Sequence, residues 1–425
     1  MSSQSGSAPL PEPLTAASLR VTVLCGFVGA GKSRVLRDVL AKQPAGSLAV
    51  LIHDRGAASG QPVAVSDDGI EVFRLGEVLA ELVQDCVSCS LRDSLTDAIT
   101  AIARMRRFSR LLIECSGLVE PMMVAEVFNE AWAEEAPLAA LARLDQIVTV
   151  IDAERFWDDV RSADDLQACG LSCGADDGRT LSELLVEQVE YSTMVVVNKS
   201  ERIGPEARGR LRALLQYLNP EADLLVASAG PDLAERLLSC RPSAGDPVGF
   251  QPGWAKLLEG APMPAIRLPR WTAGVFRATR PFHPERFWAL IEEDWPGVER
   301  CKGYFWLASQ PGRCFVWTQT AGVRHYECLG DWWVATPREE WPTGEEFQQR
   351  LRKHWTIEFG DRRQELACIG YGLDQQRLFQ RLRDCLLTPA EILLGEEVWQ
   401  RFDDPFARAT HEAASRDEES DSNSN

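Results

Sequence analysis

Histidine is scarce, with 5 residues in a chain of 425, and that excludes a histidine-rich metal-storage tract. No apolar run is long enough to span a bilayer. The opening stretch, MSSQSGSAPLPEPLTAAS, lacks the apolar core of a signal peptide and reads as a flexible lead-in over 1–19. Together these absences predict a cytoplasmic protein with no membrane partner. A basic surplus is also missing. The net charge is -18 and the pI about 4.9, which argues against nucleic acid or an anionic membrane as the main partner. Part of that acidity sits in a solvated tail over 407–425, which carries Asp417, Glu418, Glu419 and Asp421. In a reducing compartment the 12 cysteines read as thiols or metal ligands rather than disulfides.

What is present is a soluble globular composition, 45% hydrophobic and 25% charged, in a chain too long for one ordinary core. Two domains are expected. The first is organised around Val21 to Leu40, VTVLCGFVGAGKSRVLRDVL. It reads as a buried strand, a glycine-rich loop and a helix. The loop fits G-x-x-x-x-G-K-[ST], with Gly26, Gly29, Ala30 and Gly31 shaping a backbone cradle for phosphate. In that pattern Lys32 neutralises the β- and γ-phosphates and Ser33 ligates Mg²⁺. A nucleoside triphosphate is the expected ligand.

Further motifs follow in order. A second apolar strand, Leu48 to His53, leads into Ala57, Ala58 and Ser59, a segment poor in ligands, and Asp67 and Asp68 read as loop. Cys86 and Cys89 form a CxxC ahead of a helix whose cap and third position read as Ser90 and Asp93. A thiol beside a helix N-terminus is acidified, which suits metal binding or redox chemistry. Two thiolates are only half of a tetrahedral zinc shell, so this pair reads equally as metal-binding or as structural or redox. Arg110 to Cys115 is a strand ending in Glu114, with Gly117 shortly after. That is a Walker B arrangement, in which the acid holds Mg²⁺ through water and the glycine N–H senses the γ-phosphate. Cys169 and Cys173 lie in a glycine-containing insert and read as outside any site. Asn198, Lys199 and Glu201 follow another strand as N-K-x-E. This is the guanine reader with its acid one methylene longer, which selects GTP over ATP; Ser228 and Ala229 are placed to close over the base. Strands alternating with helices predict an α/β, doubly wound, mostly parallel P-loop domain over 20–235. A Pro- and Gly-rich linker over 236–269 comes next, and then a smaller α+β domain over 270–406 holding most of the tryptophans. Trp306, Trp317, Trp332 and Trp333 read as core.

Taken together, GFVGAGKS, the CxxC, IECSGLVEP, TVIDA and NKSE in this order resemble the CobW-like P-loop GTPases. RPFHPERFWALI, RCKGYFWLA and FGDRRQELACIG resemble the CobW C-terminal domain. The resemblance runs from about Val21 to Phe406 and is nearest the ZigA-type zinc chaperones. It implies coupling of GTP hydrolysis to delivery of a transition metal, chiefly zinc, to a client metalloprotein. Residue by residue it implies phosphate contacts at Gly29, Gly31, Lys32 and Ser33, the Walker B acid at Glu114, guanine contacts at Asn198 and Lys199, and metal contact at Cys86 and Cys89. The family motif is Cys-x-Cys-Cys, and its middle cysteine is Ser88 here, a poor zinc ligand because its hydroxyl stays protonated. The site is then rebuilt by another group such as Cys115 or His53, weak in a way that suits transfer, or lapsed. In the last case the chain is a GTP-controlled interaction module without a metal cargo. No arginine finger is visible, so slow intrinsic turnover is expected.

Overall fold

The computed structural model describes residues 18–42, 48–54, 65–67, 70–76, 87–128, 138, 141–169, 171, 179–227, 232–239, 251–261, 263 and 270–409. Two sheets organise them. The first comprises β1 (Leu19–Cys25), β2 (Leu48–Asp54), β3 (Val65–Asp67), β4 (Ile70–Gly76), β5 (Arg110–Glu114), β6 (Ala142–Asp152), β7 (Met194–Asn198) and β8 (Asp223–Val226). Their spatial order is β3-β4-β2-β5-β1-β6-β7-β8. Seven of these strands run parallel, and β3 pairs antiparallel with β4. The central strands are apolar throughout because both faces are covered; Val21, Val23, Val148, Val150 and Val196 are fully buried. Asp67, expected in a loop, ends β3, since the chain turns back on itself there to extend the sheet edge; Asp68 lies outside the described residues.

The helices of this half are α1 (Lys32–Leu40), α2 (Val87–Arg104), α3 (Pro121–Glu126), α4 (Phe156–Asp159), α5 (Leu181–Glu190), α6 (Pro205–Leu218) and α7 (Asp232–Leu238). Thr180 and Glu183 form a capping box that starts α5. The helix α2 begins at Val87 rather than after Ser90, so Ser88 and Cys89 belong to its first turn; it ends before Arg106, whose φ of 51° cannot continue a helix. The span read as a linker holds an ordered helix, α8 (Gly253–Glu259). Its close seat explains why position 253 is glycine: a Cβ there would lie 1.9 Å from the Tyr217 carbonyl oxygen at the end of α6.

The second sheet is wholly antiparallel, in the order β12-β11-β10-β13-β9, from β9 (Trp271–Ala278), β10 (Val298–Phe305), β11 (Arg313–Thr320), β12 (Val323–Asp331) and β13 (Gln364–Tyr371). One face packs against α9 (Pro284–Glu292) and α10 (Gln375–Asp384), burying Phe276, Cys301, Phe305, Trp317, Leu366 and Cys368. The alternate residues face the first domain, where Trp271 and Ile369 join the core of α5 and α6. Trp306, Trp317 and Trp332 are buried, whereas Trp333 is half-buried with its ring edge-on to Phe347.

A β-bulge between Val298 and Arg300 breaks the alternation of β10. Two consecutive side chains can therefore reach the first domain. Glu299 pairs with Arg161, and Arg300 forms a bidentate pair with Glu190 at 2.8 and 2.9 Å and donates to Thr320 Oγ1 at 3.0 Å. Arg300 and Glu190 are 1% and 0% exposed, so each charge depends on the other. Removing one partner alone by Arg300→Met or Glu190→Leu is expected to lower stability by about 3–5 kcal/mol, while the double variant recovers most of the loss. The midpoint of urea unfolding followed by tryptophan fluorescence checks this, and an additive double variant would contradict it.

Candidate functional site

The parallel sheet presents its functional residues at one edge, where β1, β5, β6 and β7 all end. After β1 the chain turns through the glycine-rich loop into α1. Gly31 adopts φ 100°, and a Cβ there would meet Asn198 Nδ2 at 2.3 Å. Only glycine lets the loop close against the end of β7 in this way. Lys32 folds over the loop, donating to the carbonyls of Gly26 at 2.7 Å and Phe27 at 3.3 Å. Burial pushes the Lys32 ammonium below its ordinary value, and Glu114, followed by the thiols of Cys25 and Cys115, pushes it back up. A partly desolvated ammonium in a backbone cradle is well suited to a polyphosphate, which would add counter-charge to that of Glu114.

Glu114 ends β5 and is buried. It accepts a hydrogen bond from Ser33 Oγ at 2.6 Å. A hydroxyl and a carboxylate side by side beside Lys32 are hard oxygen donors of the kind Mg²⁺ takes, so the residues fit that ion. Gly117 is buried against the loop; a Cβ on it would lie 2.7 Å from the Val28 nitrogen. A cavity of about 610 Å³ opens here, with Lys32, Ser33, His53, Glu114, Cys115 and Gly117 among its lining residues.

At the end of β7, Asn198 is buried and works inside the protein. Its Nδ2 donates to the Ala30 carbonyl at 2.9 Å, and its Oδ1 accepts from the Lys199 N–H at 3.0 Å. Lys199 sits at φ 57°, a left-handed conformation that turns its side chain back over the loop. There Nζ donates to the Gly29 carbonyl at 3.0 Å and to Asp152 at 2.6 Å. Glu201 is exposed in the turn Ser200–Arg202 that follows, and Ser228 and Ala229 lie outside the described residues.

Lys32, Ser33, Glu114, Gly117, Asn198 and Lys199 thus converge on one edge. The metal candidates cannot be placed in the same way. Cys86 lies outside the described residues, as do Ala57, Ala58, Ser59 and Cys173, and Cys89 is described only as part of the first turn of α2. Among the described residues no group of three or more His, Cys, Asp or Glu could hold a metal ion. Cys115 and His53, the groups considered for rebuilding the site, are both buried. A hydrogen bond with Cys25, then burial, pushes the Cys115 thiol well above its ordinary pKa. Cys169 is exposed.

The sequence reading missed three residues. Asp152 holds Lys199, Gln188 donates to the carbonyls of Gly117 and Val119 at 3.1 Å each, and Arg179 donates to Leu118 and pairs with Glu120. The signal for Asp152 was an acid at a strand end, in TVIDA. For Gln188 it was a polar residue on the buried face of an apolar helix.

The fold and this edge define a P-loop nucleotide-binding protein carrying a second, antiparallel-sheet domain. The model of the CobW/HypB/UreG nucleotide-binding domain matches residues 20–226, and that of the cobalamin synthesis protein cobW C-terminal domain matches residues 271–386. The chain belongs to the CobW family of P-loop GTPases. It is 31% identical over 399 residues, 91% of this chain and 84% of the relative, to zinc-regulated GTPase metalloprotein activator 1 of Dictyostelium discoideum. It is 25% identical over 334 residues to zinc chaperone Rv0106 of Mycobacterium tuberculosis, covering 77% of this chain and 78% of that one. The Zn(II)-bound YjiA GTPase from E. coli overlaps at 17% identity with a TM-score of 0.34, covering 87% of this chain and 99% of that one; nothing further follows from so distant a likeness. Among the described residues no helix is long and apolar enough to cross a membrane.

Asn198→Ala strands the Ala30 carbonyl and the Lys199 N–H in a buried setting. It is expected to cost about 1–3 kcal/mol of stability before any nucleotide is added. Thermal unfolding of the nucleotide-free protein checks this; an unchanged midpoint would mean that Asn198 does not buttress the loop.

Proposed function

We propose that this chain binds GTP with Mg²⁺, hydrolyses the GTP, and uses the cycle to deliver zinc to a client metalloprotein in the cytoplasm. The single observation that carries the nucleotide part is the convergence of Lys32, Ser33, Glu114, Asn198 and Lys199 on one sheet edge. The backbone from Gly26 to Ser33 receives the phosphates. Lys32 gives up its contacts with the Gly26 and Phe27 carbonyls to meet the β- and γ-phosphates. Ser33 and Glu114 hold Mg²⁺, whose charge screens the phosphate oxygens. Asn198 keeps the base-reading turn against the loop, Lys199 lies along the base, and Glu201 accepts from the guanine N1 and N2 hydrogens. With no arginine finger among these residues, intrinsic turnover is slow, by the roughly 10³- to 10⁵-fold that such a finger supplies. The proposed division is a GTPase domain over 20–235, a connection over 236–269 that includes α8, and a C-terminal domain over 270–406 that presents the client surface.

The zinc part draws on the two relatives named for zinc and on Cys86 and Cys89, which supply the thiolates. Ser88 in place of a middle cysteine favours a second reading, a GTP-controlled interaction module that has lost its cargo. The first measurement tests the nucleotide site that both readings share, and the second separates them. Lys32→Ala is expected to abolish GTP turnover, and persistent turnover would place the active site elsewhere. Competition of the reduced protein against a chromophoric zinc chelator, with GTP–Mg²⁺ and then GDP–Mg²⁺, is expected to show binding that depends on the nucleotide and is lost in Cys86→Ala. Absence of zinc binding in both nucleotide states, with turnover intact, would leave the interaction module.

A further inference from the structure

The segment after Glu114 is held by its carbonyls. Gln188 Nε2 donates to Gly117 O and to Val119 O at 3.1 Å each, and Arg179 Nη1 donates to Leu118 O at 3.2 Å while pairing with Glu120 at 2.6 Å. Three consecutive carbonyls are therefore gripped by two side chains from one stretch, Arg179 just ahead of α5 and Gln188 near its end. Gln188 is 1% exposed, and its own carbonyl accepts from Thr149 Oγ1 at 2.5 Å, which ties this turn of α5 to β6. An amide that uses both hydrogens on neighbouring carbonyls has little freedom to let either one rotate. The Gly117 peptide is in turn pressed against Val28 at the tip of the glycine-rich loop. Two residues beyond Gln188 on the same helix, Glu190 grips Arg300 of the second sheet.

We propose that Gln188 is a positioning residue for GTP hydrolysis: its amide fixes the Gly117 carbonyl, and so restrains the Gly117 Cα from which the preceding Ser116–Gly117 peptide presents the Gly117 N–H to a γ-phosphate. This rests on the nucleotide-site reading above. Gln188 touches neither nucleotide nor Mg²⁺; it acts through the peptide it holds. The contribution is specific to the triphosphate, since GDP has no group at that position. The arrangement also places the residue that holds the Gly117 carbonyl on the helix that docks the C-terminal sheet, two residues before Glu190, the partner of Arg300.

The test uses the full-length protein and compares wild type, Gln188→Leu, Gln188→Asn and Lys32→Ala. Affinities for fluorescent GDP and for a non-hydrolysable GTP analogue are measured with Mg²⁺, together with kcat and KM for GTP. Gln188→Leu keeps the volume and removes both donors. It is expected to leave GDP affinity within about twofold while weakening the GTP analogue and kcat by about tenfold each, the scale of one or two lost hydrogen bonds. Gln188→Asn keeps the amide on a shorter arm and is expected to give the same selective loss in smaller measure; it answers the question alone if the leucine variant does not fold. Equal loss for GDP and the GTP analogue, or no loss for either, with Lys32→Ala still inactive, would overturn the role of Gln188 and leave the nucleotide site standing. Retained binding and turnover in Lys32→Ala would overturn both.

Discussion

Arg300 is a full positive charge held away from water, and its environment is provided by Glu190 from the other half of the chain and by Thr320 from its own sheet. A charge so placed is tolerable only with its partner present, because desolvation of a lone guanidinium outweighs anything the surrounding apolar packing returns. The two domains are therefore not beads on a string. Trp271 and Ile369 of the second sheet are buried with the core of α5 and α6, and Trp271 stacks on Tyr217 at 5.3 Å between ring centroids. Apolar burial makes the contact favourable, and the ion pair makes it particular, since a rotated docking would leave two buried charges unmatched.

The nucleotide edge depends on this same helix. A doubly wound sheet sends the ends of its central strands to one crevice, which is why residues as far apart as Gly31, Glu114, Asp152 and Asn198 meet there. The crevice is stiffened by side chains that grip backbone: Asn198 on the Ala30 carbonyl, Lys199 on that of Gly29, Gln188 on those of Gly117 and Val119. The described segments of the glycine-rich loop and of 117–119 therefore carry few free degrees of freedom before a ligand arrives, which lowers the cost of ordering them on binding.

Much of this was legible in the chain because the signals are local. GFVGAGKS states strand, turn and helix within a few residues, and the apolar runs ending in Glu114 and Asn198 mark strands whose tips carry chemistry. The reading was weaker where a residue's role lies in a distant contact. In sequence Asp152 is a strand end, and its role depends on the left-handed backbone at Lys199 that bends that side chain back to it. Gln188 looked like one polar residue in LVEQVE, because nothing in the sequence shows that the carbonyls of Gly117 and Val119 face it. The hairpin of β3 and β4 escaped because β3 is three residues, Val-Ser-Asp, too short to carry a pattern, and α8 because the prolines and glycines around it outweigh Trp254 and Leu257 in composition. The helix exists because it is packed between α6 and the second sheet, a tertiary cause that local composition does not contain.

The bulge in β10 bears on how the C-terminal domain acquires its register. Strand pairing has a period of two, so a slip of one residue exchanges the two faces of a strand. In β10 that exchange would turn Arg300 and Lys302 toward Phe287 and Trp317 and carry Cys301 and Phe305 outward. Several aromatic side chains oppose the slip from one side, and Glu190 opposes it from the other. Correct strand pairing in the second domain and correct docking on the first are thus favoured by the same residues.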